Sequence, residues 1–285
     1  MKALIFGQTG QVARELARHV PGGVEGVQLG RGEADLADPA ACAAAIHAAN
    51  PDVVINVAAY TAVDLAEDEE VLATTINGSA PGAMAEACAA LGIPFLHVST
   101  DYVFDGTGEA PWQPDSPTDP QNAYGRSKLA GEEAVRAAGG VHAILRTSWV
   151  FSSHGANFVK TMVRLGETRD TLTVVDDQIG GPTPAADIAA ALWAMAQVLP
   201  GKPEAAGTYH FSGAPDLSWA AFAREIFAQT GQQVTVTGIP SVEYPTPASR
   251  PANSRMDCGS LYATFGIARP DWAAGLAKVL AELAA

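Results

Sequence analysis

Cysteine is scarce in this chain of 285 residues, with only Cys42, Cys88 and Cys258. An odd number without CxxC spacing supports neither a disulfide framework nor a zinc ribbon, and it reads as a reduced, cytoplasmic protein. Basic residues are also in short supply, with 17 Lys and Arg against 31 Asp and Glu and a formal net charge of −14. That imbalance argues against nucleic acid or anionic membrane as a partner, so a phosphate-bearing ligand would have to meet cations gathered locally. Long apolar runs are missing as well. The opening Met-Lys-Ala-Leu-Ile-Phe-Gly is too short for a leader or a membrane span and reads as a buried strand. The alanine-rich segments Ala40–Ala49 and Ala83–Leu91 are broken by polar residues or Gly and read as amphipathic helices. None of the six histidines forms an i,i+4 pair or neighbours a cysteine at ligand spacing, which leaves no built metal site. There is no GxSxG elbow, internal repeat or low-complexity linker.

What is present is a rhythm. Apolar runs at Ala3–Phe6, Val24–Leu29, Val53–Val57, Pro94–Val98 and Val141–Leu145 alternate with helix-like segments after Gly10, Pro39, Leu65, Ala123 and Asn157. Short apolar strands without strict alternation are buried on both faces, and crossover helices make the sheet parallel. The expected class is α/β, a doubly wound parallel Rossmann-type sheet over residues 1–150, with ligands at the carboxyl ends of its strands. Beyond residue 150 prolines punctuate shorter elements, predicting a smaller C-terminal substrate-binding domain over 151–285. Helices are expected over Ala186–Leu199, Leu217–Gly231 and Trp272–Ala285, the first of them packing back on the first sheet. Pro240–Pro251 reads as an ordered loop carrying Arg250.

Gly7-Gln-Thr-Gly10-Gln-Val-Ala13 follows the first strand and opens a helix, the context a dinucleotide loop needs. Glycine permits a tight turn and close approach of a pyrophosphate, while the helix start supplies free N–H donors. Cofactor choice is read at the end of the second strand, Leu29-Gly30-Arg31. No carboxylate stands at that tip to hold a ribose 2′-hydroxyl, and Arg31 can pair with a 2′-phosphate, which favours NADPH over NADH. The alternative is a solvated surface arginine.

Tyr124-Gly-Arg-Ser-Lys128 places a weak acid and a cation on one helix face. With six tyrosines and five lysines, chance alone supplies about 0.1 such spacing per chain, so its position matters more than its existence. It opens a helix just before the fifth strand, and Ser99-Thr100-Asp101 ends the fourth. Reducing a ketone leaves negative charge growing on oxygen, which calls for a proton donor within hydrogen-bond reach. Tyr124 can give that proton and Thr100 can orient the oxygen. An ammonium about 4 Å away, at an effective dielectric of about 20, is worth up to roughly 4 kcal/mol, so Lys128 is expected to favour the Tyr124 phenolate. The acidic group Asp64, Glu67, Asp68, Glu69 and Glu70 reads as a solvated helix start rather than a catalytic dyad.

The glycine loop and the Tyr124–Glu132 segment, together with Ala58–Asp64, Ser99–Phe104, Arg146–Val150 and Tyr244–Pro251, resemble the dTDP-4-dehydrorhamnose reductases of the extended short-chain dehydrogenase/reductase family over nearly the whole chain. The resemblance implies NAD(P)H-dependent reduction of a deoxysugar nucleotide at C4. Carried over, Gly10, Gln11 and Val12 would hold the pyrophosphate, Asp35 and Leu36 the adenosine end, and Ala58, Ala59 and Tyr60 the nicotinamide side. Thr100, Tyr124 and Lys128 would be catalytic, Asp101 and Trp149 would flank the sugar nucleotide, and Arg250 would meet its diphosphate. Relatives often carry an acidic residue where Gly30 stands, which leaves NADH use open. Some bind magnesium at a homodimer interface through glutamates; Glu15 is the candidate here, and metal and dimer stay open. A sugar-nucleotide epimerase or dehydratase and a non-catalytic subunit like the methionine adenosyltransferase beta subunit are the rival readings.

Overall fold

Ala3, Leu4, Ile5 and Phe6 are each 0% exposed, so this strand is covered on both faces, as its unbroken apolar run requires. The computed structural model describes residues 1–285. Its first half runs β1 (Lys2–Phe6), α1 (Gln11–Arg18), β2 (Glu25–Leu29), α2 (Pro39–Ala49), β3 (Val53–Asn56), α3 (Glu70–Thr74), α4 (Ala80–Leu91), β4 (Phe95–Thr100), α5 (Ala123–Ala137) and β5 (His142–Thr147). The second half continues through β6 (Val150–Phe151), α6 (Phe158–Gly166), β7 (Thr171–Val175), β8 (Ile179–Gly180), β9 (Thr183–Pro184), α7 (Ala185–Val198) and β10 (Gly207–His210). It closes with β11 (Leu217–Ser218), α8 (Trp219–Thr230), β12 (Thr235–Ile239), β13 (Asn253–Ser254), α9 (Gly259–Phe265) and α10 (Trp272–Ala284).

The main sheet is parallel, in the order β10-β5-β4-β3-β1-β2. Strand order reverses between β1 and β3, so the loops after Phe6 and Asn56 open a crevice at the carboxyl edge. Ala3 and Ile5 face one side with Leu16 and the α7 residues Ile188, Leu192 and Met195. Leu4 and Phe6 face the other with Ile46 of α2 and Met84 of α4. Each such side chain contributes about 1.5–3 kcal/mol on full burial.

One expectation needs correction. The apolar runs predict five strands for this sheet, and a sixth, β10, comes from the second half to pair with β5, Tyr209 opposite Leu145. Gly207-Thr-Tyr-His210 is too short and too polar to announce a strand. The helix α7 lies against α1, where the Trp193 Nε1–H donates to the Leu16 carbonyl at 3.1 Å. A separate core gathers Phe151, Val159, Phe222, Phe227, Trp272 and Leu276 among α6, α8, α10 and the β7–β12 pair. The α10 face holds Leu276 and Val279 buried, with Leu280 and Leu283 packed at its margin.

Candidate active site

A cavity of about 960 Å³ runs along the carboxyl edge of the sheet, a size suited to a dinucleotide and its reaction partner. Gly7, Gly10, Gln11, Val12, Arg31, Asp35, Leu36, Ala58, Ala59 and Tyr60 line one end of it, and Thr100, Asp101, Tyr124, Lys128 and Trp149 line the other. The structure therefore gathers every site residue expected from the sequence except Arg250.

At the first end, Gly7 has φ +126°, and an added Cβ would stand 3.0 Å from Val57 Cγ2 and 3.4 Å from the Ala58 nitrogen. Glycine is required there by both backbone and space. Gly10 differs, since a Cβ there would meet nothing within 4 Å and would project into open space. It precedes α1, which has no side-chain cap and no acidic residue in its first turn. By contrast Asp38, Asn122, Asn157, Ser218 and Asp271 cap their helices with side chains. The leading N–H groups of α1 are thus left for an anion. Gln11 offers backbone only, because its side chain is turned to the second half, where Oε1 accepts from Ser152 Oγ at 2.9 Å and from Asn157 Nδ2 at 3.0 Å. The Arg31 side chain is 82% exposed, with its nearest carboxylate, Asp35, 3.9 Å away, so it is free to meet a phosphate. These features fit a phosphorylated dinucleotide.

At the other end α5 carries the acid. Asn122 Oδ1 accepts from the Gly125 N–H at 2.7 Å, and the Glu67 carboxylate accepts from the Ala123 N–H at 2.9 Å. Two glycines seat this helix: a Cβ at Gly125 would collide with the Tyr102 carbonyl oxygen, and one at Gly131 with that of Asn77. The acidic group Asp64–Glu70 is exposed or half-exposed, as expected of a solvated helix start, and it also ties this end of the cavity together. Besides Glu67, Glu70 pairs with Arg126 at 2.7 Å, Glu69 accepts from the Tyr60 hydroxyl at 2.7 Å, and Asp64 holds Arg250 at 2.8 Å.

Burial pushes the Tyr124 phenol up to about 12; Thr100 draws it down and Asp101 pushes it up further. Lys128 Nζ donates to the Val98 carbonyl at 2.8 Å and lies 3.2 Å from His97 Nε2, so its amino group is turned to β4. Burial lowers Lys128 to about 8, against the opposing pull of Glu132. Tyr124 is therefore a protonated phenol near neutrality, the form that can give a proton away.

Thr100 Oγ1 donates to Asp101 Oδ1 at 3.0 Å, and Ser254 Oγ donates to Asp101 Oδ2 at 2.5 Å. Burial raises Asp101 to about 6 in spite of those two bonds. Thr147, in register with Thr100, has a buried Oγ1 without a protein partner that lines the same cavity, an open position for a ligand's polar atom. Trp149 adopts φ +49°, a conformation that costs a non-glycine residue about 1–3 kcal/mol. It is over-determined by a ring stack on Trp219, with centroids 3.5 Å apart and planes 11° apart.

Arg250 stands differently from expectation. Arg250 does not line the cavity, being drawn aside by Asp64 Oδ2 and the Ala248 carbonyl. Glu15 is surrounded by His19 at 3.3 Å, His154 at 3.2 Å and Arg18 at 3.8 Å. Magnesium takes oxygen ligands, whereas the groups nearest Glu15 within this chain are nitrogen donors. Sequence reasoning missed Asn56, His97 and Trp219. The first two had a signal, as the polar interruptions of the buried strands Val53-Val-Ile-Asn56 and Phe95-Leu-His97-Val98.

Comparison with known proteins agrees with this geometry. The family model described as the RmlD substrate binding domain matches residues 1–285. A dTDP-4-dehydrorhamnose reductase of Sinorhizobium fredii is 47% identical, over 95% of this chain and 94% of that protein. The crystal structure of such a reductase from Clostridium acetobutylicum superposes with a TM-score of 0.93 at 37% identity, covering 100% of both chains. Another from Bacillus anthracis, in complex with NADP, has a TM-score of 0.91 at 32% identity and 99% coverage of each.

Proposed function

The chain belongs to the RmlD substrate binding domain family, whose relatives above are dTDP-4-dehydrorhamnose reductases, and from that premise we propose that its cleft reduces the C4 ketone of dTDP-4-dehydro-L-rhamnose to dTDP-L-rhamnose with NADPH. The observation that carries the reading is the continuity of one cavity from the uncapped start of α1 to the half-buried acid Tyr124. NADPH, when bound, supplies the hydride. Gly10, Gln11 and Val12 hold its pyrophosphate through backbone N–H groups, Arg31 its 2′-phosphate, and Asp35 and Leu36 border the adenosine. Gly7, Ala58, Ala59 and Tyr60 shape the nicotinamide side.

Thr100 and Tyr124 flank the substrate carbonyl. As charge grows on the C4 oxygen, Tyr124 passes it the phenolic proton, and the phenolate left behind is the weaker base of the two, so the transfer runs downhill. Asp101 orients Thr100, and Trp149 covers the sugar nucleotide. Arg250 meets the diphosphate after exchanging its Asp64 partner for the ligand. Residues 1–150 carry chiefly the dinucleotide and 151–285 the sugar nucleotide. No helix is long and apolar enough to cross a membrane. Three free, buried cysteines support a reducing, cytoplasmic setting for the reaction.

The test follows NADPH absorbance with enzymatically generated dTDP-4-dehydro-L-rhamnose. Wild type oxidises NADPH rapidly, and Tyr124→Phe loses about 10²-fold or more in rate with NADPH binding retained. Equal rates in the two proteins would remove Tyr124 from the mechanism.

A further inference from the structure

Thr147 ends β5 at the carboxyl edge of the main sheet and is only 5% exposed. Its Oγ1 is buried and has no hydrogen-bond partner in the protein, although the residue lines the cavity. Native structures leave few buried hydroxyls unpaired, because each gives up its bonds to water for nothing. The hydroxyls on either side of it are engaged. Thr100 Oγ1 donates to Asp101, and Ser148 Oγ donates to the Gly181 carbonyl at 3.3 Å.

Position along the cavity narrows what Thr147 can meet. It is paired in register with Thr100, so the two side chains project to one face from strands about 4.8 Å apart. From Thr147 the chain runs through Ser148 and Trp149 to Val150, whose carbonyl accepts from Gln11 Nε2 at 3.4 Å at the start of α1. This wall therefore reaches from the carbonyl beside Thr100 to the pyrophosphate beside Gln11. In a nicotinamide dinucleotide, the nicotinamide riboside lies between those two points. The facing wall of Ala58, Ala59 and Tyr60 has little polarity left to offer, since the Ala58 N–H is given to Asn56 Oδ1 at 3.1 Å and the Tyr60 N–H to Asn77 Oδ1 at 2.8 Å.

We propose that the Thr147 hydroxyl binds the carboxamide of the nicotinamide ring and thereby sets the rotation of that ring. The proposal rests on the reading of the cavity as an NADPH site. A carboxamide carries an acceptor oxygen and two N–H donors, and a hydroxyl can serve either. It stands on the ring carbon next to the one that gives up the hydride. Holding it turns that neighbouring carbon towards the carbonyl between Thr100 and Tyr124. Burying the amide against the methyl groups of the facing wall would otherwise leave it unpaired.

Thr147→Val exchanges the hydroxyl for a methyl group of similar shape, and Thr147→Ser keeps the hydroxyl. Because Oγ1 has no protein partner, the free Thr147→Val protein should unfold at a temperature equal to or above that of wild type. Calorimetric titration with three compounds then identifies the occupant. Thr147→Val should bind NADPH about 3- to 10-fold more weakly, and Thr147→Ser should stay within about twofold of wild type. Binding of 2′-phospho-ADP-ribose, which is the cofactor without its nicotinamide, should not change in either variant, nor should binding of dTDP-L-rhamnose. A weakened dTDP-L-rhamnose with NADPH unmoved would give the position to a sugar hydroxyl. Equal losses for NADPH and 2′-phospho-ADP-ribose in a less stable variant would make Thr147 structural, and three unmoved affinities would leave it without a bound partner. Each of these results would overturn the proposal. Wild-type protein that failed to bind NADPH at all would overturn the cofactor reading itself, and the proposal with it.

Discussion

Arg146 grips Glu132 with two bonds, Nε to Oε1 at 2.8 Å and Nη2 to Oε2 at 2.6 Å, and the two residues are 2% and 0% exposed. This pair ties α5, the helix of Tyr124 and Lys128, to β5 beneath it. Arg136 adds a weaker contact to the same carboxylate at 3.2 Å.

Removing one partner strands a buried charge, so Arg146→Met should destabilise the protein by about 3–5 kcal/mol at pH 7. Arginine partners hold the Glu132 carboxyl below its ordinary value of 4.5 despite burial. A depressed carboxylate contributes stability that is complete above its unfolded value of about 4.3 and is lost as pH falls through the folded one. The difference between wild type and variant should therefore shrink on acidification. Urea unfolding at neutral pH and near pH 4 checks both statements; a constant difference would contradict the second.

Two glycine replacements should part stability from binding. Gly131→Ala drives a Cβ into the Asn77 carbonyl oxygen, and the helix must shift, at a cost of about 1–3 kcal/mol in thermal or chemical unfolding. Gly10→Ala meets no protein atom within 4 Å and should leave stability within about 0.5 kcal/mol. Its methyl group occupies the approach to α1 instead. NADPH titration is expected to show affinity weakened by about tenfold or more, and unchanged affinity would exclude pyrophosphate from that position.

Arg31→Ala should lower the preference for NADPH over NADH. A charge-assisted bond to a phosphate contributes about 1.5–3 kcal/mol, so NADPH affinity should fall about 10- to 100-fold while NADH affinity stays constant. Fluorescence titration with both cofactors decides it, and an unmoved ratio would return Arg31 to the solvated surface.

Trp219→Ala withdraws the platform beneath Trp149. Aromatic stacking is worth about 0.5–1.5 kcal/mol, so KM for the sugar nucleotide should rise several-fold. NADPH affinity should not move, since Trp219 is not part of the cavity wall. An equal loss for both ligands would point to general disorder.

Much of this is legible in the sequence, for physical reasons. Glycine at Gly7 and an apolar strand before it demand one local geometry, and Tyr124 and Lys128 share a helix face by spacing alone. Which way the Lys128 amino group turns was not readable. Val98 and His97 decide it from a strand that lies about 30 residues earlier, and neighbours so far apart in sequence leave no periodic trace. Trp149 is similar. Its left-handed backbone depends on Trp219 and on the Thr183 N–H, which donates to the Trp149 carbonyl at 3.1 Å. Arg250 was legible as a cation in an ordered loop, while its Asp64 partner was hidden inside an acidic run that reads as surface.

The return of α7 and β10 to the first sheet has a consequence for anyone who would recombine this chain with a relative. A junction at residue 150 would leave β5 an unpaired edge and strip α1 of the apolar cover that Ile188, Leu192 and Trp193 supply. Chimaeras intended to exchange substrate preference while keeping the cofactor half should carry residues 185–211 along with the first 150. Split there, the fragments would seek each other or aggregate, because neither half owns its whole interior.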